Sequence, residues 1–498
     1  MAIGSKNDVS VQDRIRDRVA LAAAFASFAI FYVAVTVSVR QPLLNDPDTF
    51  LHISVGEWIL KNGRFPVVDE FSHTAFGKSW GAVDWLGQVA LALSYRVAGW
   101  RGVTEITTVT FSLISAVLAF YLARVLRLSL ALSLAVTITV LISSHLLARP
   151  VIFSYLLLSI WVVLILELEE RSWTGTLGYC LVPLMLLWAN VHGSFTFGLL
   201  IAYIFMGSAI YEAYVQRDVR KLRQLVFVLV GVTVAALITP YGPNSALRTV
   251  RLMSIPAVTQ IDEWHPPDFR RDPLHLAAIV GVFAFLAYSG LRLRGPRLLT
   301  LLLATLFALE YKRGLGLFSL LAPLMLARPL SAWAPYLSVQ VNQPDPVVRF
   351  ANRHSTTVAV LCIVFATIVG VASWAMASSI KPTERNVPEK ALAAAKLANV
   401  TGNVLNSYNF GGYLIFMGIP PFVDGRVELY GDQFLQRYIR AMALSDADDA
   451  ARMLEQFDVN WALLQPGEPI AFLLQTEGWE QIYRDDSAIV FMKRRPGL

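Results

Sequence analysis

Apolar runs recur along most of this chain, and they constrain its fold more than any other feature. Several extend for about 17–22 residues with few or no charges, which is long enough for a helix to cross a bilayer core. Hydrophobic residues make up 55% of the sequence and charged residues only 16%, whereas a soluble domain carries about 25% charge. The runs lie at 19–39, 83–98, 102–123, 128–147, 150–168, 175–191, 194–214, 225–240, 274–291, 298–310, 314–327 and 356–378. The sequence therefore predicts a polytopic α-helical membrane protein.

Basic residues in the short loops between these runs predict the orientation. The N-terminal arm, residues 1–18, is basic and is therefore expected in the cytoplasm. Run 19–39 is then a signal anchor, and residues 40–82 form the first outer loop. If the short run 83–98 dips into the membrane and returns, the later basic loops all lie on the cytoplasmic side. The prediction is then about eleven transmembrane helices plus one half-inserted or interfacial helix.

The last part of the chain, residues 380–498, differs in composition from the rest. Short β-like runs occur at Val404–Tyr408, Tyr413–Phe416, Trp461–Leu464 and Ala488–Met492. Helical runs occur between them, at Pro388–Leu397 and Asp446–Phe457. This alternation predicts a small α/β domain. The chain then divides into the cytoplasmic arm, a transmembrane region at 19–379 and an extracytoplasmic α/β domain at 380–498.

Two carboxylates and a histidine follow the first apolar run, at the predicted membrane edge. Asp46-Pro47-Asp48 is typical of a helix start, because Pro favours the first helical position and Asp is a good N-cap. Asp48 and His52 are four residues apart, so they lie on one face of that helix. Ionisable residues at a membrane edge are costly and usually functional. Asp48 is therefore the first candidate for a catalytic or binding acid, and Asp46 is the second; a purely capping role for Asp46 stays open.

Further polar residues are predicted on the same outer side. Asp84 opens the half-inserted run, and His192 lies at an outer helix end, where a packing role is the alternative. Glu263 and His265 belong to the longest outer inter-helix loop, 241–273. Long loops are commonly functional. We expect these side chains to line one large extracytoplasmic site.

A basic pair also falls on the predicted outer side, against the charge bias of membrane proteins. The segment Tyr311-Lys312-Arg313 interrupts two apolar runs there. An anionic lipid phosphate would compensate these charges, because Arg and Lys bind phosphate by charge-assisted hydrogen bonds. Arg149, at another outer edge, could join such a pocket. Pairing with Glu310 or with the acids of the first loop is the alternative.

Asp424 and Arg426 are the candidates in the C-terminal domain. They alternate with Glu428 in a strand-like run, so their side chains are expected on one face. They could bind sugar hydroxyls or close against the membrane site. An internal set of salt bridges is the alternative interpretation.

These motifs together resemble the GT-C superfamily of polytopic glycosyltransferases. The resemblance rests on the signal anchor, the outer loop that opens with Asp46 and Asp48, and the amphipathic segment ending in Gly63-Arg64-Phe65-Pro66. The class includes dolichyl-phosphate-mannose protein mannosyltransferases and the bacterial aminoarabinose transferases of lipid A. The segments DPDTFLHISVGEWI, NVHGSF, EWHPP and FVDGRVELYGD also resemble a group of bacterial membrane proteins. Thr49 stands where an acidic residue often follows the key aspartate of the mannosyltransferases, which leaves metal dependence and the acceptor open.

The resemblance implies a glycosyltransferase of the bacterial inner membrane. It would move a sugar from a polyprenyl-phosphate-linked donor to a glycan, lipid or protein acceptor at the outer face. Asp48, or Asp46, would act as general base. The outer-side Lys and Arg residues would stabilise the charge of the leaving lipid phosphate. A divalent metal ion, Mg²⁺ or Mn²⁺, is the cofactor that this class would allow.

Two other functions stay open on the sequence. One is a multi-span transporter, although transporters tend to contain inverted repeats and helices broken at mid-membrane, and neither is evident. The other is a polymerase or ligase of lipid-linked glycans. The sequence contains no phosphate-binding loop, zinc pattern, nucleophile elbow or dinucleotide fingerprint. The net charge of +6 requires no nucleic-acid partner, because the basic residues cluster in short loops.

Overall fold

The structure, a computed structural model, is mainly helical. It describes residues 6–38, 42–143, 146–173, 175–253, 255–256, 262–339, 346–376, 380–383 and 386–494. The helices that precede residue 380 in these ranges are α1 (Lys6–Ser38), α2 (Asp48–Asn62), α3 (Trp85–Ala98), α4 (Trp100–Val125), α5 (Leu128–Ile142), α6 (Val151–Glu170), α7 (Leu181–Val191), α8 (Phe195–Val215), α9 (Val219–Leu237), α10 (Asn244–Met253), α11 (Pro273–Ser289), α12 (Gly295–Glu310), α13 (Gly314–Trp333), α14 (Pro346–Arg353) and α15 (Ser355–Met376).

Six of the described helical segments are long and apolar enough to cross a membrane. They are Asp13–Val37, Trp85–Val125, Val151–Glu170, Phe195–Val215, Gly314–Trp333 and Ser355–Ala372. Shorter apolar helices occur at Leu128–Ile142, Leu177–Val191 and Pro273–Ser289. Each predicted apolar run coincides with a helix. The chain is thus a polytopic membrane protein, while the number of crossings and the half-inserted segment stay predictions.

Helices α4, α6 and α7 bring the largest side chains of the bundle into its interior. Tyr121, Trp161 and Trp188 are each almost completely buried. At the end of the bundle that carries the basic loops, Arg297 pairs with Glu169 at 2.6 Å and with Glu170 at 3.4 Å. Charged side chains that are buried at the end of a membrane helix bundle are costly unless they are paired. The pairs therefore fix α12 against the end of α6.

The described residues from 386 onwards, called here the C-terminal unit, are arranged around a small sheet. Its elements are α16 (Glu389–Leu397), β1 (Asn403–Asn406), α17 (Gly411–Phe416), α18 (Val427–Tyr430), α19 (Asp432–Met442), α20 (Ala447–Gln456), β2 (Val459–Leu464), α21 (Ile470–Thr476), β3 (Glu480–Arg484) and β4 (Ile489–Met492). The strand order is β1-β2-β4-β3. Strands β1 and β2 are parallel, and the other two pairs are antiparallel.

Two local predictions in this unit are wrong. The segment Tyr413–Phe416 is helix α17 instead of a strand, because a short apolar run suits a buried helix as well as a strand. Asp424 and Arg426 do not lie on a strand; they precede the short helix α18. Their side chains are nevertheless close, because Arg426 folds back on Asp424 at 2.6 Å.

The segment 42–82, which we call the first outer loop after its predicted location, packs against the C-terminal unit. The backbone N–H of His73 donates to the carbonyl of Pro421 at 3.2 Å, and the Thr74 hydroxyl donates to the carbonyl of Phe422 at 2.6 Å. Phe50, on α2, makes edge contacts with two rings of α17. The acid-bearing start of α2 is therefore held between the bundle and the C-terminal unit.

Candidate active site

A cavity of about 790 Å³ lies where the helix ends meet the C-terminal unit, a size typical of ligand sites. One part of its wall is apolar and is formed by helix side chains that include Leu158, Phe197, Phe307 and Leu317. The other part is polar and is formed by the start of α2, the loop before α6 and the C-terminal unit. The cavity can therefore accept a ligand with both an apolar and an anionic or hydroxylated part.

Asp46 both caps α2 and forms an ion pair. Its Oδ1 accepts a hydrogen bond from the Asp48 backbone N–H at 2.8 Å, as expected for an Asp before a helix. Its other oxygen pairs with Nε of Arg149. The carboxylate is almost completely buried, whereas the Asp48 side chain is 22% exposed and reaches the cavity.

Arg149 is the point on which three carboxylates converge. Besides Asp46, its Nη2 bonds to Oδ2 of Asp48 at 2.7 Å and its Nη1 bonds to Oε1 of Glu263 at 2.5 Å. Arg313 lies 3.9 Å from the other oxygen of Glu263. Side chains from the start of α2, the loop before α6, the helical turn Asp262–Trp264 and the start of α13 thus form one ionic cluster.

Asp46 and Asp48 hold their protons more tightly than ordinary aspartates. The pKa of Asp46 is raised to about 7, chiefly by burial; Arg149 opposes this rise, and the nearby charges of Asp48 and Glu263 add to it. Burial also raises the pKa of Asp48, with Arg149 opposing and Glu263 adding to the effect. Desolvation disfavours the charged form of an acid. Near neutral pH, the pair can therefore accept or release a proton.

His52, His192 and Asp84 also line the cavity. Nδ1 of His52 is 3.2 Å from the side-chain nitrogen of Gln88. Asp84 accepts a hydrogen bond from the backbone N–H of Gly193 at 3.1 Å. Burial lowers the pKa of His52 to about 3 and also lowers that of His192. Both imidazoles are therefore neutral near pH 7 and suit hydrogen bonding rather than charge pairing.

The C-terminal unit contributes a second ionic cluster, whose Arg426 lines the cavity. Arg426 pairs with Asp424 and Asp69, both at 2.6 Å, and its guanidinium lies 4.7 Å from the ring centre of Trp80. Burial alone would raise the pKa of Asp424, but the ion pair and hydrogen bonds with Arg426 outweigh it and lower the pKa. Between these two residues, the backbone at Gly425 contacts the Asp48 carboxylate so closely that a Cβ there would overlap Oδ1.

No protein-family model and no curated protein matches the sequence. Solved structures do match. The oligosaccharyltransferase of Archaeoglobus fulgidus in the apo form has a TM-score of 0.56 at 11% identity, covering 88% of this chain and 69% of that chain. AglB from the same organism, in complex with an inhibitory peptide and a dolichol-phosphate, has the same score and identity, with 95% and 74% covered. ArnT from Cupriavidus metallidurans bound to undecaprenyl phosphate has a TM-score of 0.48 at 14% identity, covering 93% and 97%.

The chain has the GT-C fold. This confirms the predicted resemblance at the level of architecture, and identities this low concern the fold alone.

The GT-C fold brings most of the predicted site residues to one cavity. Its wall includes Asp46, Asp48, His52, Asp84, Arg149, His192, Glu263, Arg313 and Arg426. His265, Tyr311 and Lys312 are not part of the cavity wall. The backbone carbonyl of His265 accepts a hydrogen bond from the Lys312 N–H, and the Tyr311 ring packs against Trp264. Asp424 is not part of the cavity wall either, but it pairs with Arg426, which is. The roles of all these residues stay predictions.

The GT-C cavity also contains residues that sequence reasoning missed. Tyr408 lines the wall, and burial, together with the nearby charges of Asp48 and Asp424, raises the pKa of its hydroxyl, which therefore stays protonated. Arg248 lines the wall as well, where it pairs with Glu428. A single tyrosine or arginine carries no motif, so only the contacts between distant segments identify them.

We expect Gly425→Ala to lower turnover about 10- to 100-fold, because small misplacements of a reacting group can cost about 10²-fold. The φ angle of Gly425 is ordinary for an L-residue, so the new methyl group would act by displacing the Asp48 carboxylate. Gly207→Ala is the matched control, since a Cβ there meets nothing within 4 Å. Turnover and thermal melting would be measured on both variants. An unchanged turnover for Gly425→Ala would contradict the expectation that this contact positions the Asp48 carboxylate.

We expect activity to fall as the pH is lowered through about 7, the pKa of Asp46. Asp46 and Asp48 titrate as a pair, and a general base must be ionised to accept a proton, so acid removes the active form. The measurement is kcat/KM against pH. His52→Gln should keep the same acid limb, because His52 does not titrate in this range. An acid limb near pH 4, or one that His52→Gln removes, would contradict the expectation that the limb reports the titration of Asp46 and Asp48.

Proposed function

We propose that the chain is a membrane glycosyltransferase that takes its sugar from a polyprenyl-phosphate-linked donor. The observation that carries the proposal is the composition of the cavity. A half-buried carboxylate, Asp48, pairs with a buried guanidinium, Arg149, in a cavity whose other wall is apolar. These features match the three parts of the reaction: an acceptor proton, a phosphate leaving group and a lipid chain. AglB, which has this fold, was solved with a dolichol-phosphate.

In this mechanism, Asp48 is the general base. The acceptor oxygen forms a bond to the anomeric carbon of the sugar, while the bond from that carbon to the phosphate oxygen breaks. The acceptor proton passes to the Asp48 carboxylate. Asp46 is less suited to this role, because one of its oxygens caps α2, the other pairs with Arg149, and the side chain is almost fully buried. Asp46 therefore orients Arg149.

Arg149 and Arg313 stabilise the leaving group. Negative charge develops on the phosphate oxygen as the glycosidic bond breaks, and preorganised cationic donors lower the energy of that state. Arg313 lies over the Trp264 ring at 4.7 Å from its centre, which holds the guanidinium at the cavity wall. The neutral imidazoles of His52 and His192 would hydrogen-bond sugar hydroxyls. Asp84, through Gly193, would hold the backbone next to His192.

The apolar wall would receive the first isoprene units of the donor. Phe197 and Phe307 meet there with ring centres 4.9 Å apart, and Leu158 and Leu317 complete the surface. A polyprenyl chain would reach it from the membrane, whereas a water-soluble nucleotide sugar has no group that matches it. The apolar wall and the ionic cluster both line the cavity, so the scissile bond would lie between them.

We place this site on the extracytoplasmic side of a bacterial inner membrane, with the N-terminus in the cytoplasm. The support is the positive-inside distribution of the loops. The basic residues Arg124, Arg297 and Arg328 pair with Glu167–Glu170 at the opposite end of the helices from the cavity. The acceptor, whether glycan, lipid or protein, would enter from the side of the C-terminal unit, which forms the remaining wall.

The test is a transfer assay in proteoliposomes with a panel of labelled polyprenyl-phosphate sugars and an envelope extract as acceptor source. We expect label to move to an acceptor, or to water as free sugar, with one polyprenyl phosphate released per sugar. A transporter would move a labelled solute across the vesicle membrane without cleaving any donor. That result, with no donor turned over, would rule out the transferase function.

A further inference from the structure

The ionic cluster around Arg149 bears on whether this site uses a metal ion. Three carboxylates from separate loops converge, which is the ligand type that Mg²⁺ and Mn²⁺ prefer. A metal would need their oxygens within about 2.0–2.2 Å of one point. In this chain, each carboxylate instead bonds a different nitrogen of Arg149: Asp46 at Nε, Asp48 at Nη2 and Glu263 at Nη1.

Two of the three remaining carboxylate oxygens also face a donor. Oδ1 of Asp46 accepts the Asp48 backbone N–H at 2.8 Å, and Oε2 of Glu263 faces Arg313 at 3.9 Å. Across the described ranges, no group of three His, Cys, Asp or Glu side chains has the arrangement of a metal site. The residues present therefore do not fit a divalent cation, because a guanidinium fills the space between them.

The guanidinium can replace the chemistry that a cation would supply. Arg has five N–H donors in a fixed plane, and three of them are directed at the three carboxylates. One donor on each Nη is left, and the side chain lines the cavity. Two parallel N–H groups suit the bidentate binding of a phosphate, and their charge is permanent.

We infer that Arg149 occupies the position of a divalent cation among Asp46, Asp48 and Glu263, so that this chain stabilises its anionic leaving group without a metal ion. The inference rests on the proposed function for the identity of that leaving group. The charge balance supports it. Three carboxylates and two arginines carry a net charge of −1, so the two guanidiniums already offset most of the negative charge that a cation would balance.

The decisive experiment is Mn²⁺ binding, measured by electron paramagnetic resonance on detergent-purified full-length protein stripped with EDTA. The wild type should bind no stoichiometric Mn²⁺ when Mn²⁺ is present at about 100 µM. Arg149→Ala should bind one Mn²⁺, because its removal leaves three carboxylates facing one space. Adding Glu263→Gln to Arg149→Ala should abolish that site. Arg313→Ala is the matched control and should bind none, since it leaves Arg149 in place.

The wild-type result decides the question even if Arg149→Ala fails to fold. One Mn²⁺ bound per wild-type chain, lost in Glu263→Gln, would overturn the inference. Transfer activity gives a second readout: it should stay within about twofold in EDTA, whereas a tenfold loss restored by Mn²⁺ would overturn it. If no donor is turned over under any condition, the proposed function fails, but the Mn²⁺ measurement still decides whether Arg149 excludes a metal.

Discussion

Asp48→Asn is expected to lower the rate of sugar transfer by about 10³-fold, within the range of general-base contributions. The amide has the size of the carboxylate and can still accept a hydrogen bond from Arg149, but it cannot take the acceptor proton. Donor binding should not weaken, because the substitution removes one negative charge from the cavity that receives the phosphate. The loss should therefore appear in kcat with little change in KM.

Two matched variants make this result specific. Glu57→Gln changes a carboxylate on the same helix that pairs with Arg96 outside the cavity, and its rate should be unchanged. Asp46→Asn keeps the helix cap and should cost about tenfold, because Asn is as good an N-cap as Asp and only the pairing with Arg149 is lost. A larger loss for Asp46→Asn than for Asp48→Asn would assign the base to Asp46 instead.

The sequence predicts the helices well because their signal is local. An apolar run long enough to span a bilayer can hardly form anything but a helix in lipid, and each predicted run is helical. The strand predicted at Tyr413–Phe416 is wrong because its sequence carries no such local signal. A run of four apolar residues has no distinctive periodicity, and the helix α17 is decided by its packing on α2, where Gly412 lies against the Pro47 carbonyl.

The candidate site is partly predictable for the same physical reason. Asp48, Arg149, Glu263 and Arg313 are conspicuous because charged residues are rare in this chain, and the loop topology puts them on one side. Their pairing around one guanidinium is not visible in sequence, since Arg149 and Glu263 are separated by 114 positions. The positions of Tyr408 and Gly425 depend on how the C-terminal unit docks, which no local pattern encodes.

Arg426→Met is expected to destabilise the docked C-terminal unit by about 3–5 kcal/mol, the cost of removing one partner from a buried ion pair. Asp69 and Asp424 are both fully buried and both pair with this guanidinium, so the variant leaves two carboxylates without their cation. Asp69 lies in the first outer loop and Asp424 in the C-terminal unit. The substitution therefore breaks the ion pairs through which Arg426 joins these two parts of the chain. Gly425, next to Arg426 in the sequence, contacts the Asp48 carboxylate. The rate of sugar transfer should therefore fall as well.

Arg437→Met is the matched control, because its ion pair with Asp449 joins α19 to α20 within the C-terminal unit and is about one-quarter exposed. Such a solvent-screened pair contributes much less to stability than a buried one. Urea denaturation of both variants in detergent would measure the free energies of unfolding, and hydrogen exchange would show whether the first outer loop opens. Equal losses for the two variants would mean that Arg426 does not join the loop to the C-terminal unit. A larger loss for Arg426→Met, with faster exchange on both sides of the link, would show that this arginine holds the wall of the site against its catalytic acid.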